Sequence, residues 1–68
     1  MADFAERLKE LRTDKGFTMK QLADAIKVTE MAISNWESHQ RIPNINYATV
    51  LAKFFNVTVG QLVGTEEL

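Results

Sequence analysis

Few side chains in this 68-residue sequence are equipped for chemistry, and their spacing narrows what that chemistry can be. There is a single histidine, His39, and no cysteine, so neither a metal cluster nor a thiol nucleophile can be assembled. A glycine-rich phosphate loop and a pair of catalytic carboxylates are also missing, which removes the parts an enzyme needs. What remains is hydrogen-bonding capacity concentrated between Glu30 and Ser38. At about 100° per residue on a helix, Ala32, Ile33 and Trp36 share one arc. Met31, Ser34, Asn35 and Ser38 lie on the opposite arc, with Glu30 on its flank and Glu37 at the boundary. The outer arc is short-chained and, Glu30 aside, uncharged, which suits it to the base edges of a DNA groove. Asn35 can pair bidentately with adenine N7 and N6. Glu30 either accepts from a cytosine amino group or serves the helix N-terminus and repels phosphate. Met31 is either a contact for a thymine methyl or an ordinary exposed methionine, and Ser34 can donate or accept almost anywhere. Trp36 reads as a core aromatic and not as a base-stacking platform. No Arg or Lys falls on the arc, so a site read through A·T pairs and shape is expected.

The elements that must position this arc are legible from capping and periodicity. The stretch Thr18 to Glu37 divides into two short helices around a tight corner. Thr18 with Gln21 forms a capping-box pattern ahead of Leu22, Ala23 and Ile26, and Thr29 caps the second helix, expected over Glu30 to Ser38. The corner residue is Lys27, where a left-handed conformation would cost about 1 kcal/mol. A first helix is expected from Asp3 to Lys15, with Phe4, Leu8 and Leu11 as its inward stripe and Gly16 as its stop. Arg7, Lys9 and Lys53 read as solvated charges, as does Arg12 taken alone. His39 is expected to end the third helix and Pro43 to bar its continuation. Asn44 caps a fourth helix from Ile45 to Phe55, with Ala48, Leu51, Ala52 and Phe55 inward and Asn56 as a left-handed terminator. Thr58 caps a last helix that runs to Val63 and closes at Gly64. No stretch alternates as a strand should. The expected architecture is all-α: one compact five-helix domain over residues 1–64, then a short acidic tail over 65–68.

Composition agrees on class and is awkward on charge. A hydrophobic fraction of 46% argues for a folded core, although 68 residues lie near the lower size limit for folding alone. No apolar run approaches the length of a membrane span and nothing resembles a signal peptide, so a cytoplasmic module is expected. The formal net charge of −1, however, is not that of a strongly basic nucleic-acid binder. Attraction to phosphate must come from a local stripe, for which Lys20, Lys27 and Arg41 are the candidates.

The run from Arg7-Leu8-Lys9-Glu10-Leu11-Arg12 through Gly16, Thr18, Leu22-Ala23 and Val28-Thr29 has a familiar spacing. It continues through Ile33-Ser34-Asn35-Trp36-Glu37, Pro43, Leu51-Ala52, Phe55 and Val57. This pattern resembles the helix-turn-helix family of phage repressors and Cro proteins, the XRE type, and it covers Phe4 to about Gly64. The resemblance implies a lambda-repressor-like fold whose third helix enters the major groove while the second crosses the backbone. It puts Glu30, Met31, Ser34 and Asn35 at base-facing positions. Lys20, Lys27, Ser38, His39, Arg41 and Asn44 become candidates for phosphate. It further implies a partly buried ion pair between Arg12 and Glu37. Three departures stand out: Met19 where relatives often carry a phosphate-clamping Gln, Lys27 for the usual Gly of the turn, and His39 for the Gly after the third helix. The clamp must then fall to Lys20 or to backbone N–H groups at the helix N-terminus. The implied partner is a double-stranded operator bound by a two-fold homodimer, weak in the absence of DNA, with self-contact near Val57 to Val63. No cofactor, metal or small-molecule substrate is expected, and the setting implied is a bacterial or phage-infected cell. The rival reading is a protein-interaction module, such as an antitoxin, that keeps the fold and turns its surface to another protein. Repressor, Cro-like antirepressor, activator and antitoxin-autoregulator roles stay open at this level.

Overall fold

The computed structural model describes residues 3–38 and 43–66. Five helices account for most of them: α1 (Phe4–Asp14), α2 (Met19–Ile26), α3 (Glu30–Glu37), α4 (Ile45–Phe55) and α5 (Val59–Val63). Each begins at a side chain that satisfies an otherwise orphaned N–H. Asp3, Thr18, Thr29, Asn44 and Thr58 accept from the backbone three residues on. Thr18 and Thr58 close full capping boxes with Gln21 and Gln61.

The helix ends are as local as the starts. After α1 the chain turns left-handed at Gly16 (φ 77°), and the Phe17 N–H donates back to the Arg12 carbonyl at 3.1 Å. Lys27 (φ 62°) and Asn56 (φ 57°) make the same turn without glycine, so the strain expected at the corner between α2 and α3 is present. Helix α3 stops at Glu37 with Ser38 as its C-cap, one residue earlier than expected. The expected terminator His39 and the candidate Arg41 lie outside the described residues.

Packing closes the helices into a ring: α2 on α3, α3 on α1, α1 on α5, α5 on α4 and α4 on α2. One branched side chain from each helix, Leu8, Leu22, Ile33, Leu51 and Leu62, is fully buried at the centre. Helices of eight residues, such as α2 and α3, would be marginal alone, and this shared core is what stabilises them. Trp36 is 6% exposed and packs beside Tyr47 with ring centroids 5.7 Å apart, so it is structural, as its arc indicated.

Arg7 corrects a sequence expectation. It is buried, and its NH1 donates to the Gln61 carbonyl at 2.9 Å, tying α1 to α5. On α1 it stands only about 60° from the Phe4 stripe, and α5 docks over that flank. Periodicity marks the stripe without saying which shoulder a later helix will cover.

Candidate nucleic-acid interface

The arc predicted from rotation per residue is the exposed side of α3. Glu30, Met31, Ser34 and the cap Ser38 are exposed and Asn35 is half-buried, while Ile33 and Trp36 point into the core. Met31 is 72% exposed, a large apolar side chain presented to solvent on a helix that has a core to hide in. Among the described residues no side-chain hydrogen bond is made by Glu30, Met31, Ser34 or Asn35. Ser38 instead donates from Oγ to the Asn35 carbonyl at 3.2 Å, so its hydroxyl is engaged in closing the helix.

What holds this face at a fixed angle is the link from α3 to α1. Arg12 Nε donates to Glu37 Oε2 at 2.7 Å and Arg12 NH2 to Oε1 at 2.9 Å, a bidentate pair. The side chains are 10% and 3% exposed, so the pair expected from the family resemblance is present and buried. Arg12 NH1 donates to the Phe17 carbonyl at 2.8 Å, joining the α1–α2 corner to the same clamp. The hydrogen bond to Glu37 raises the Arg12 pKa; burial opposes it and the carboxylate charge adds to it. A raised pKa on a cation means its contribution is complete at every pH below the ordinary guanidinium range and is lost only above it. The guanidinium of the clamp therefore stays charged throughout the neutral range.

Around this arc stand the candidates for the DNA backbone. Lys20 lies in the first turn of α2 and Lys27 at the left-handed corner, both exposed. The Thr18–Gln21 capping box satisfies the Gln21 N–H and leaves those of Met19 and Lys20 without a partner among the described residues. Unpaired N–H groups at a helix N-terminus, with the helix dipole, stabilise an anion. Asn44 is exposed and its Oδ1 accepts from the Tyr47 N–H at 3.0 Å, so only its amide nitrogen remains for phosphate. His39 and Arg41, the remaining phosphate candidates, belong to the segment outside the described residues. Exposed Asp24 and Glu30 stand on the same two helices as Lys20 and Lys27, so the positive stripe is thin.

Two surfaces bear on self-association. Val57, Val59 and Val63 are half-buried against the core, which reduces the patch expected there. The more exposed apolar side chains lie on α4, where Ile45, Tyr47, Val50 and Phe54 are 67%, 41%, 42% and 36% exposed. The described residues contain no cluster of three or more His, Cys, Asp or Glu able to hold a metal ion. No helix among them is long and apolar enough to cross a membrane.

Comparison with known proteins agrees with this geometry. A family model described as helix-turn-helix matches residues 8–62, which includes all of α2 and α3. The chain belongs to the helix-turn-helix family. Among its relatives, the HTH-type transcriptional activator BcrR of Enterococcus faecalis is 44% identical over 66 residues, 97% of this chain and 32% of BcrR. The HTH-type transcriptional regulator ImmR of Bacillus subtilis (strain 168) is 32% identical over 63 residues, 93% of this chain and 50% of ImmR. This helix-turn-helix chain thus spans a third to a half of the length of those two relatives. Among solved structures, the restriction-modification controller protein C.AhdI of Aeromonas hydrophila superposes with a TM-score of 0.79 at 29% identity, covering 87% of this chain and 89% of that one. The SOS-response transcriptional repressor LexA of Eubacterium rectale does so with a TM-score of 0.86 at 25% identity, covering 96% and 69%. The fold and the relatives of this helix-turn-helix chain are those of transcriptional regulators and not of enzymes.

Met19 is the residue of the face whose place sequence reasoning missed. It registered only as a lost phosphate clamp, yet it lies beside Met31, Glu30 and Ser34 across the α2–α3 junction. The available signal was its position as first residue of α2, the helix joined to α3 by the tight corner.

Proposed function

We propose that this chain is a sequence-specific, double-stranded-DNA-binding transcriptional regulator that places α3 in the major groove. The observation that carries the reading is the exposed, hydrogen-bonding outer arc of α3, held at a fixed angle by the buried Arg12–Glu37 pair. Glu30, Met31, Ser34 and Asn35 meet base edges, with Asn35 best suited to adenine. Lys20, Lys27 and the Met19 and Lys20 N–H groups engage phosphates, aided by the Asn44 amide and, from the segment outside the described residues, His39 and Arg41; Ser38 joins them only by giving up its bond to the Asn35 carbonyl. One α3 reads only a few base pairs, so two copies bind a pseudo-palindrome with half-sites about 34–36 Å apart. Self-contact draws on Val57 to Val63 or on the exposed Tyr47, Val50 and Phe54 of α4 and is weak without DNA. The setting is the cytoplasm of a bacterial or phage-infected cell. Selection from a random DNA pool tests the whole reading: enrichment of a two-fold-symmetric site supports it, and no enriched sequence overturns it.

The net charge of −1 favours a second reading, a protein-interaction module that retains the fold. Charge reversal at Lys20, Lys27 and Arg41 separates the two. Loss of DNA binding on reversal supports the regulator, whereas tight binding to a protein partner that survives reversal supports the module.

A further inference from the structure

A shallow depression opens where the first turn of α2 meets the first turn of α3, lined by Met19, Glu30, Met31 and Ser34. Its apolar surface comes from two thioethers on different helices. Met19 is half-buried and anchored against the core, while Met31 is 72% exposed. Its polar edge is Ser34 and the carboxylate of Glu30, which has no cationic partner among the described residues. An unneutralised carboxylate at the rim repels phosphate, so the depression does not suit the DNA backbone. It suits a base edge that brings an apolar group and, beside it, a hydrogen-bond donor. In the major groove the apolar group is the C5-methyl of thymine, and the donors are the amino groups of adenine and cytosine. Thioether side chains are flexible and polarizable enough to close around a methyl group.

We propose that Met19 and Met31 together form a receptor for one thymine C5-methyl group in each half-site, with Glu30 accepting from an exocyclic amino group beside it. This rests on the major-groove reading of α3 and adds a specificity-determining role for Met19. Its side chain thereby reads a base, while its backbone N–H remains among the phosphate donors.

The test replaces thymine by deoxyuridine, which removes the methyl and leaves every hydrogen-bonding group in place. On a site selected from a random pool, each thymine is exchanged in turn and affinity is followed by fluorescence anisotropy. One thymine per half-site is expected to lose about fourfold in affinity on exchange, the effect of exposing one methyl group. Met31→Ala should abolish that sensitivity without lowering the melting temperature, because the side chain is so exposed. Met19→Gln, which keeps the length of the side chain and avoids emptying the core, should weaken it as well. Affinity indifferent to deoxyuridine at every thymine overturns the receptor alone, as does a sensitivity unchanged in both variants. A pool that yields no selected site overturns the groove reading, and the receptor falls with it.

Discussion

Removing Arg12 should be among the most damaging single changes this domain can suffer. Arg12→Met deletes three side-chain hydrogen bonds, two to Glu37 at 2.7 and 2.9 Å and one to the Phe17 carbonyl at 2.8 Å. It also strands the Glu37 carboxylate, whose side chain is 3% exposed. Hydrogen bonds to charged groups are each worth about 1.5–3 kcal/mol, and breaking a buried pair costs about 3–5 kcal/mol. Arg12 keeps about a tenth of its side-chain surface in water, so some relaxation is available and about 2–4 kcal/mol is expected. For a domain of this size the total stability is about 3–10 kcal/mol, and the melting temperature should fall by roughly 10–30 °C. Urea unfolding followed by the fluorescence of Trp36, the sole tryptophan and the neighbour of Glu37 in sequence, reads this directly. Glu37→Leu alone should cost a similar amount, and the double variant Arg12→Met/Glu37→Leu should cost far less than the sum. The compensation arises because a well-packed apolar pair can replace a buried ion pair at little cost. Two single variants that each cost under about 1 kcal/mol, combined additively in the double, would refute the account of a buried clamp.

Lys27→Gly should raise the melting temperature by about 4–8 °C, because glycine relieves roughly 1 kcal/mol of left-handed strain at φ 62°. An unchanged or lowered value in a thermal melt contradicts that. Asn35→Ala should weaken operator binding by about 1–3 kcal/mol and relax preference at a single base pair, as measured by selection with the variant protein. Lys20→Gln should weaken binding to all sequences alike and reduce the slope of log affinity against log salt by about 1, and an unchanged slope removes Lys20 from the phosphate set.

The helix boundaries and the faces of α3 were legible in the sequence because the signals that set them act over three or four residues. Thr18, Thr29, Asn44 and Thr58 each satisfy an N–H three positions ahead, and Lys27 and Asn56 turn left-handed where the chain must reverse. Rotation about the axis of α3 separates Ile33 and Trp36 from Ser34 and Asn35 with no knowledge of the partners. The Arg12–Glu37 pair was accessible only through resemblance to a family, since 25 residues separate its members and either charge alone could equally face water.

Three features were decided by tertiary packing. Arg7 and Arg12 stand on opposite shoulders of the same stripe, and only the docking of α5 over one and α3 over the other buries both. The apolar side chains exposed on α4 and the half-buried valines around α5 exchange the prominence their sequence suggests, because α5 turns its valines toward the core. Met19 comes to lie beside Glu30, Met31 and Ser34 because α2 packs on α3, a neighbourhood that neither helix defines alone. The sequence by itself determined where each helix starts and which stripe it turns inward, through hydrogen bonds and periodicity that operate within a single element. Which exposed groups share a surface was decided by the closed ring of five helices, because side chains distant along the chain become neighbours only when the common core fixes the angles between them.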